Sequence, residues 1–190
     1  MFVKPANMGS SIGVSKVHDK QELMHSVDEA FRYDRKILIE AAIIGDEVEC
    51  AVLGNEQPEA SLPGRILSDA EFYDYQEKYQ NTSHTSLEIP AQLPDDISKR
   101  VRQTAIQAFQ ALECEGMARV DMFVTKKGEV IMNEINTIPG FTKFSMYPKL
   151  WEVTGLSYTD LITKLLGLAI ERFEQRQALT TSYNSHQVHV

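Results

Sequence analysis

Four polar side chains with the chemistry of a phosphate or metal site lie within residues 116–145, namely Arg119, Asp121, Glu134 and Asn136. Polar and apolar residues alternate on either side of Lys127-Gly128, which predicts a β-hairpin with one polar face and one packed face. Pairing the strands about that turn places Asp121 opposite Glu134 and Arg119 opposite Asn136. Since side chains alternate across a strand, these four project from one face. The opposite, packed face is predicted to carry Val120, Met122, Val124, Ile131 and Ile135.

The grouping of two carboxylates, a carboxamide and a guanidinium favours a site for Mg²⁺ and phosphate. Carboxylate and carboxamide oxygens are the hard ligands that Mg²⁺ prefers, and Mg²⁺ usually arrives with phosphates because it keeps few protein ligands. The planar fork of Arg119 matches a phosphoryl oxygen. The same residues also suit a surface hairpin with an ordinary arginine–carboxylate salt bridge, so the local pattern leaves both interpretations open.

Two loops of small residues could supply backbone N–H groups to the same ligand. Residues 136–141 leave the hairpin through Pro139-Gly140, a turn that exposes N–H groups beside the polar side chains. Near the start, a short strand ending at Lys4 opens into a loop whose small residues can turn tightly around a phosphate. The small residues of this loop are Gly9, Ser10, Ser11 and Gly13. The loop is not a Walker motif, and by itself it could equally be a plain hairpin connection.

Three helices and two further strands are predicted to position these loops. Helix starts are indicated by the capping boxes at 19–22 and 157–160 and by Pro94-Asp95-Asp96. The apolar stripes expected to be buried are Leu23, Val27, Ala30 and Phe31, then Ile97, Val101, Ala105, Ala108, Phe109 and Leu112, then Leu161, Ile162, Leu165, Leu166, Ala169 and Phe173. Residues 36–40 are expected to form a buried strand, and residues 48–53 a second strand.

Several of these segments match the motifs of one family. The arrangement R-x-D at 119–121, N-E-x-N-T-x-P-G-F-T at 133–142 and S-M-Y-P at 145–148 resembles the D-alanine–D-alanine ligases of the ATP-grasp superfamily. V-K-P-A-x-x-G-S-S-x-G at 3–13 resembles the phosphate loop of that family, and F-Y-D-Y-x-x-K-Y at 72–79 resembles its ω-loop, which closes over the nucleotide. The likeness runs from Lys4 to about Arg176.

The resemblance implies an α+β ATP-grasp fold in which two subdomains of antiparallel sheet are flanked by helices. It implies a carboxy-terminal ATP-grasp domain at residues 1–176, with a small lobe to about residue 45 and a large lobe over residues 46–176. A disordered tail is expected at 177–190. The family also carries an amino-terminal domain, which is expected to be absent from this chain.

The resemblance further implies roles for individual residues. Catalytic roles fall to Arg119, Gly140, Ser10 and Tyr79. Contacts with ATP are implied for Lys4, Ser10, Ser11, Glu40, Ala42, Ile43, Glu47, Lys78, Phe123 and Asn133. Two Mg²⁺ or Mn²⁺ ions would be held by Asp121, Glu134 and Asn136, and the second D-alanine by Ser145 and Met146. In the family, tyrosine at the position of Tyr79 accompanies dipeptide formation, whereas phenylalanine there accompanies a D-lactate ester.

Plainer interpretations exist for some of these residues. Without the resemblance, Glu47 and Glu49 would be assigned to the solvated face of a strand, and Glu49 stays ambiguous even with it. Ser145 could cap a short helix that begins at Met146.

The implied activity is ATP-dependent ligation of two D-alanines through an acyl phosphate, for peptidoglycan precursors and cell-wall biogenesis. One alternative is an ATP-binding module that is inactive alone. Another is an ATP-grasp ligase for a different D-amino acid or for D-lactate. The implied partners are D-alanine and ATP, with a homodimer among the assemblies that the family forms.

The composition agrees with a globular enzyme and argues against two other classes of protein. The chain has 190 residues and is 43% apolar, enough to bury a core. A net charge of −8 without a long basic run argues against nucleic acid as the main partner. No apolar stretch of membrane-spanning length and no signal-peptide pattern is present. Cys50 and Cys114 form no metal or redox motif, so the cytoplasm is the expected compartment.

Overall fold

The computed structural model describes residues 1–67 and 86–180. The predictions for Lys78 and Tyr79, for the rest of the ω-loop up to residue 85 and for the tail beyond residue 180 lie outside those residues. Within the described residues the chain forms two antiparallel sheets with helices packed against them, as expected for an α+β fold.

The first sheet is small and has the strand order β2-β1-β3. Its strands are β1 (Phe2–Pro5), β2 (Ser15–Lys16) and β3 (Ile37–Glu40), and helix α1 (Lys20–Ala30) packs against them. The predicted helix start is confirmed, because the Asp19 carboxylate accepts hydrogen bonds from the backbone N–H groups of Gln21 and Glu22. The other half of the capping box differs, since the Glu22 carboxylate accepts from the backbone N–H of His18 and not from that of Asp19. Val3, Val17 and Ala30 form the buried core of this sheet.

The second sheet is larger and has the order β7-β6-β4-β8-β9, with β5 also paired to β4. Its strands are β4 (Gly45–Gly54), β5 (Glu59–Ala60), β6 (Gly64–Leu67), β7 (Ser86–Glu88), β8 (Gly116–Thr125) and β9 (Val130–Asn136). Three helices accompany it, α2 (Asp95–Ala111), α3 (Met146–Val153) and α4 (Tyr158–Gln177).

The two faces of the large sheet are covered differently. On one face, Val48, Cys50 and Val52 of β4 pack with β8 and with the buried stripe of α2. On the other face, Ala51 and Leu53 pack under α3 and α4. Side chains alternate along β4, so Glu49 and Glu47 belong to the same face as Ala51, but neither is part of the apolar cluster under those helices. That stretch of polar face is where the candidate site lies.

The predicted stripes of α1 and α2 are confirmed except at their last residues. Ile97, Val101, Ala105 and Phe109 are buried on α2, and Leu23 and Val27 pack on the core beside α1. Phe31 and Leu112 are exposed, because each is the residue at which its helix ends and turns away from the core. The strand β3 is also more exposed than predicted at Leu38 and Ile39, since it is an edge strand.

The prediction for α4 merged two neighbouring stripes, only one of which contacts the sheet. Leu161 is buried, and Leu165 and Leu168 pack on the same core. These residues recur at intervals of four and three along the helix, and Arg172, four residues further on, lies on the same side and forms an ion pair with Glu115. The second stripe is rotated by one residue, or about 100°, and faces solvent. Its members Ile162, Leu166, Ala169 and Phe173 are therefore exposed, contrary to the prediction.

The helices differ in whether their length and apolar composition would be enough to cross a membrane. In the part of the chain that the structure describes, no single helix is long and apolar enough to cross a membrane. Helices α3 and α4 meet at a bend of 106°, and only when they are taken as one pair are they long and apolar enough to span a membrane, by length and composition alone.

Two leucines on α4 give a matched test of which stripe supports the fold. Leu161→Ala should lower the free energy of unfolding by about 2 to 5 kcal/mol, because it removes a fully buried side chain and leaves a cavity. Leu166→Ala makes the same chemical change on the exposed stripe and should shift the free energy by no more than about 0.5 kcal/mol. Urea denaturation followed by circular dichroism measures both, and equal losses would contradict this assignment of the two stripes.

Candidate functional site

The strand pairing predicted for the hairpin is confirmed at its polar residues. Arg119 is opposite Asn136, and Asp121 is opposite Glu134, in the register of β8 and β9. On its other edge β8 pairs with β4, which places Glu49 opposite Asp121. Three adjacent strands therefore contribute side chains to one polar face, and this pairing sets the order in which those side chains line up.

A β-bulge changes the register beyond Asp121. Met122 is opposite Met132, so the pairing skips Asn133. The prediction that Ile131 lies on the packed face is wrong, because the extra residue in β9 moves it opposite Phe123 and onto the polar face. The bulge places Asn133, an expected ATP contact, in an irregular part of the strand. Bulges commonly re-aim side chains next to functional sites.

Arg119 is held between two acidic side chains. Its Nε and one terminal nitrogen each donate to an oxygen of Asp121 at 2.7 Å, and Nε also lies 3.1 Å from an oxygen of Glu49. Burial opposes the charge of this guanidinium, but the hydrogen bonds and charge of Asp121, together with the charges of Glu49 and Glu134, outweigh it and raise the pKa of Arg119. The site therefore contains a permanent cation in a fixed orientation.

Glu49 does not lie on a solvated face of β4, as the plainer interpretation held. Only 6% of its surface is exposed, and Asp121 is 7% exposed. Sequence inspection missed this burial because polar residues at alternate positions of a strand normally indicate solvent. The local sequence around Glu49 could not indicate its ion pair with Arg119, because the two residues are 70 positions apart along the chain.

The donor set at the centre of the face fits a hard divalent cation chemically. Asp121 and Glu134 supply carboxylates and Asn136 a carboxamide oxygen, which is also the acceptor for the backbone N–H of Ile138 at 3.1 Å. Each of these oxygens has a second lone pair, so existing hydrogen bonds do not exclude a metal. No group of three or more His, Cys, Asp or Glu among the described residues is arranged to hold a metal ion. The candidate set needs the amide of Asn136 as well as the two acids.

The loop after the hairpin is organised by Ser145. The backbone N–H of Thr142 donates to the Ser145 hydroxyl at 3.1 Å, and the two hydroxyls lie 3.0 Å apart. A Cβ atom on Gly140 would come within 3.0 Å of the same hydroxyl oxygen, so the loop is tightly closed there. Ser145 stands at the N-cap position of α3 but its side chain makes no capping hydrogen bond, which leaves the helix-cap interpretation unsupported.

Two further residues define the role that this loop can take. The Met146 side chain is buried under the sheet, so its contact with a substrate would have to come from its backbone N–H at the start of α3. The Tyr158 hydroxyl donates to the backbone carbonyl of Phe141 at 2.9 Å, and the two rings pack with centroids 5.6 Å apart. Sequence reasoning assigned Tyr158 only to a helix start, because nothing local indicates this contact.

The small sheet holds a second group of expected ATP contacts. The Lys4 ammonium lies 2.9 Å from the Glu40 carboxylate, which joins β1 to β3. Ser10 and Ser11 adopt φ values of 56° and 58°, the left-handed region that residues with a Cβ atom rarely occupy. Strained backbone of this kind concentrates at functional sites. Ala42 and Ile43 belong to the segment 41–44 that connects the two sheets, and Glu47 begins the polar face of β4.

Comparison with known proteins identifies the family to which the chain is similar. A family model described as the C-terminus of D-ala D-ala ligase matches residues 1–167. D-alanine–D-alanine ligase A of Chromobacterium violaceum is 57% identical over 182 residues, which is 96% of this chain and 50% of that protein. D-alanine–D-alanine ligase A of Escherichia coli is 51% identical over the same shares. The chain thus spans about half the length of the curated relatives it matches.

Solved structures of the same family resemble the fold. The D-alanine–D-alanine ligase of Coxiella burnetii matches with a TM-score of 0.83 and 44% identity, covering 93% of this chain and 46% of that one. The VanG D-Ala:D-Ser ligase of Enterococcus faecalis matches with a TM-score of 0.80 and 41% identity, over 88% and 48%. The mixed fold is therefore the ATP-grasp fold of these ligases. The chain belongs to the D-alanine–D-alanine ligase family and corresponds to the carboxy-terminal part of its members.

Proposed function

We propose that this chain forms the ATP-binding part of a ligase that joins two D-alanines at the expense of ATP, in the synthesis of peptidoglycan precursors. The observation that carries the proposal is the buried fork of Arg119 beside Asp121, with Glu134 and Asn136 opposite them across β8 and β9. A fixed cation beside hard oxygen donors suits a reaction in which negative charge develops on phosphoryl and acyl oxygens. Relatives at 57% identity that bear the name of this ligase add support.

The nucleotide is proposed to lie between the small sheet and the open part of the large sheet. Lys4 and the strained backbone of Ser10 and Ser11 would contact its phosphates. Glu40, Ala42, Ile43 and Glu47 would contact the adenosine, and Phe123 and Asn133 would border it on β8 and β9. Lys78 and Tyr79 are proposed to act from the ω-loop, by the motif that contains them.

Asp121, Glu134 and Asn136 are proposed to hold the divalent cation. Mg²⁺, when bound there, would neutralise charge on the β- and γ-phosphates. Their arrangement on paired antiparallel strands supports this role, because the register fixes the spacing of the donors. Two ions are proposed, as the resemblance implies, and Mn²⁺ would offer the same preference for oxygen ligands.

The proposed chemistry has two steps. The carboxylate of the first D-alanine attacks the γ-phosphorus of ATP, which forms an acyl phosphate and releases ADP. The amine of the second D-alanine then attacks the acyl carbonyl and expels phosphate. Arg119 and the backbone N–H of Gly140 would stabilise the tetrahedral oxyanion, while Ser145 and the N–H of Met146 would hold the carboxylate of the second D-alanine.

A second candidate function is an ATP-binding module without ligase activity of its own. The observation that favours it is that most of the site residues named above are proposed contacts with ATP or a metal ion, whereas only Ser145 and Met146 are assigned to holding an amino acid substrate. A third is a ligase with another second substrate, as in the D-Ala:D-Ser ligase that this fold resembles.

We expect the 190-residue chain to bind ATP more tightly in excess Mg²⁺ than in EDTA. The reason is that a Mg²⁺ ion held by Asp121, Glu134 and Asn136 would also bind the phosphates of ATP. Isothermal titration calorimetry measures the two affinities, and ADP release with D-alanine or D-serine measures turnover. Turnover with D-alanine supports the ligase, and binding without turnover supports the binding module. Absence of Mg²⁺-dependent binding would refute both.

Arg119→Lys should reduce ADP release by about 10²- to 10³-fold, because lysine keeps the charge but cannot present a planar fork to the oxyanion. Lysine is preferred to alanine because alanine would remove the cation beside two buried carboxylates and lower stability as well. Arg172→Lys is the matched control, since Arg172 pairs with Glu115 on the helix α4 side of the sheet, and it should keep full activity. Near-normal turnover in Arg119→Lys would show that the reaction does not need the guanidinium of Arg119.

A further inference from the structure

Glu49 is a buried acid to which the proposed reaction assigns no task. It lies in the central strand β4, opposite Gly64 of β6 on one edge and Asp121 of β8 on the other. Its side chain is 8% exposed. A carboxylate buried to this extent is costly unless a cation compensates it. Among the described residues, the Arg119 guanidinium lies within ion-pair distance of it.

Arg119 lies beside two acids but donates its Nε–H to only one of them, Asp121. Its Nε donates to Oδ1 of Asp121 at 2.7 Å and lies 3.1 Å from Oε2 of Glu49. A terminal nitrogen completes the two-pronged contact with Asp121, also at 2.7 Å. The two-pronged contact with Asp121 is the hydrogen-bonded one, and Glu49 lies within ion-pair distance of the same Nε atom, close enough to accept its N–H if the contact with Asp121 loosens.

A metal ion on Asp121 would weaken this contact by charge repulsion, although each oxygen keeps a lone pair for the metal. Both Asp121 oxygens accept from Arg119, and a divalent cation placed on them would repel the guanidinium at short range. If Asp121 were the only anion beside Arg119, metal binding would leave a buried cation without compensation. A second carboxylate 3.1 Å from Nε removes that difficulty.

We propose that Glu49 is a positioning residue that accepts the Nε–H of Arg119 when Asp121 binds the metal ion, and thereby keeps the guanidinium aimed at the reacting oxygens. The inference rests on the proposed function, since it concerns the metal bound with ATP. The pair of carboxylates balances one cation and leaves one negative charge for the metal. Removing Glu49 would make Arg119 and the metal compete for Asp121.

The test uses the ratio of ATP affinities in excess Mg²⁺ and in EDTA, measured by calorimetry on the whole chain. Glu49→Gln keeps the shape of the side chain and removes its charge, and it should lower this ratio about 10- to 100-fold, as loss of a residue that supports a metal ligand typically does. The affinity in EDTA should not fall, because that measurement contains no metal. Glu59→Gln makes the same change at a side chain that is 70% exposed and should leave the ratio as it is.

A second background separates positioning from simple loss of a nearby negative charge. Arg119→Gln also removes the cation beside two buried carboxylates, so this background is used only where circular dichroism shows that the chain is folded. In it Glu49 has no guanidinium beside it, so Glu49→Gln should change the ratio by much less than in the wild type. A through-space charge effect would instead change it by the same factor in both backgrounds. Circular dichroism verifies folding, and Glu49→Asp, which keeps the charge but withdraws it by one methylene group, should give an intermediate ratio.

The outcomes distinguish this inference from the proposed function. A wild-type ratio of one overturns both, because no metal-dependent binding exists to be supported. If the wild-type chain binds ATP more tightly in Mg²⁺ than in EDTA and Glu49→Gln leaves that ratio unchanged, only the role of Glu49 is overturned. The same conclusion follows if Glu49→Gln lowers the ratio by the same factor in the wild-type and Arg119→Gln chains. A fall that depends on Arg119 supports it.

Discussion

The burial of one guanidinium between two carboxylates is the constraint on which the candidate site depends. Arg119, Asp121 and Glu49 are each mostly hidden from water, so none of them could remain charged there without the others. The two acids come from neighbouring strands, and they face the same cation only if β4 and β8 keep their register. A shift by one residue would move every one of these side chains to the opposite face. The register is thus a requirement of the charges as well as of the core.

Packing on the rest of the sheet decides where that polar face is open. Helix α3 approaches β6 so closely that a Cβ atom on Gly64 would come within 2.8 Å of Leu150, which lets the helices cover the part of the face with Ala51 and Leu53. Tyr147 strengthens the contact, since its buried hydroxyl donates to the carbonyl of Val52 at 2.9 Å. The apolar cluster under the helices includes Ala51 and Leu53 but not Glu49. The close packing of Leu150 on Gly64, a residue without a Cβ atom, therefore helps to decide which part of the sheet face is apolar and which part is left to the site.

The sequence allowed the polar pairs of the hairpin to be predicted because a Lys-Gly turn and strict alternation fix the register near Asp121. The bulge could not be predicted, since Val130, Ile131 and Met132 are all apolar and satisfy either register. The two stripes of α4 were inseparable for the same reason, because both carry large apolar side chains, leucines on the buried stripe and Ile162, Leu166 and Phe173 on the exposed one. Burial of Glu49 depends on a partner far along the chain, and periodicity carries no information about such a partner.

The two groups of proposed ATP contacts differ in how firmly they are held. The Lys4 to Glu40 ion pair is 21% and 41% exposed at its two side chains, and pairs of this kind contribute only about 0 to 1 kcal/mol. A nucleotide phosphate could therefore take Lys4 from Glu40 at little cost. The Arg119 cluster is buried, where separating the charges costs several kcal/mol per ion. If ATP binds as proposed, the adjustment on binding should fall on the small sheet, while the large sheet presents a cation and donors that are already in place.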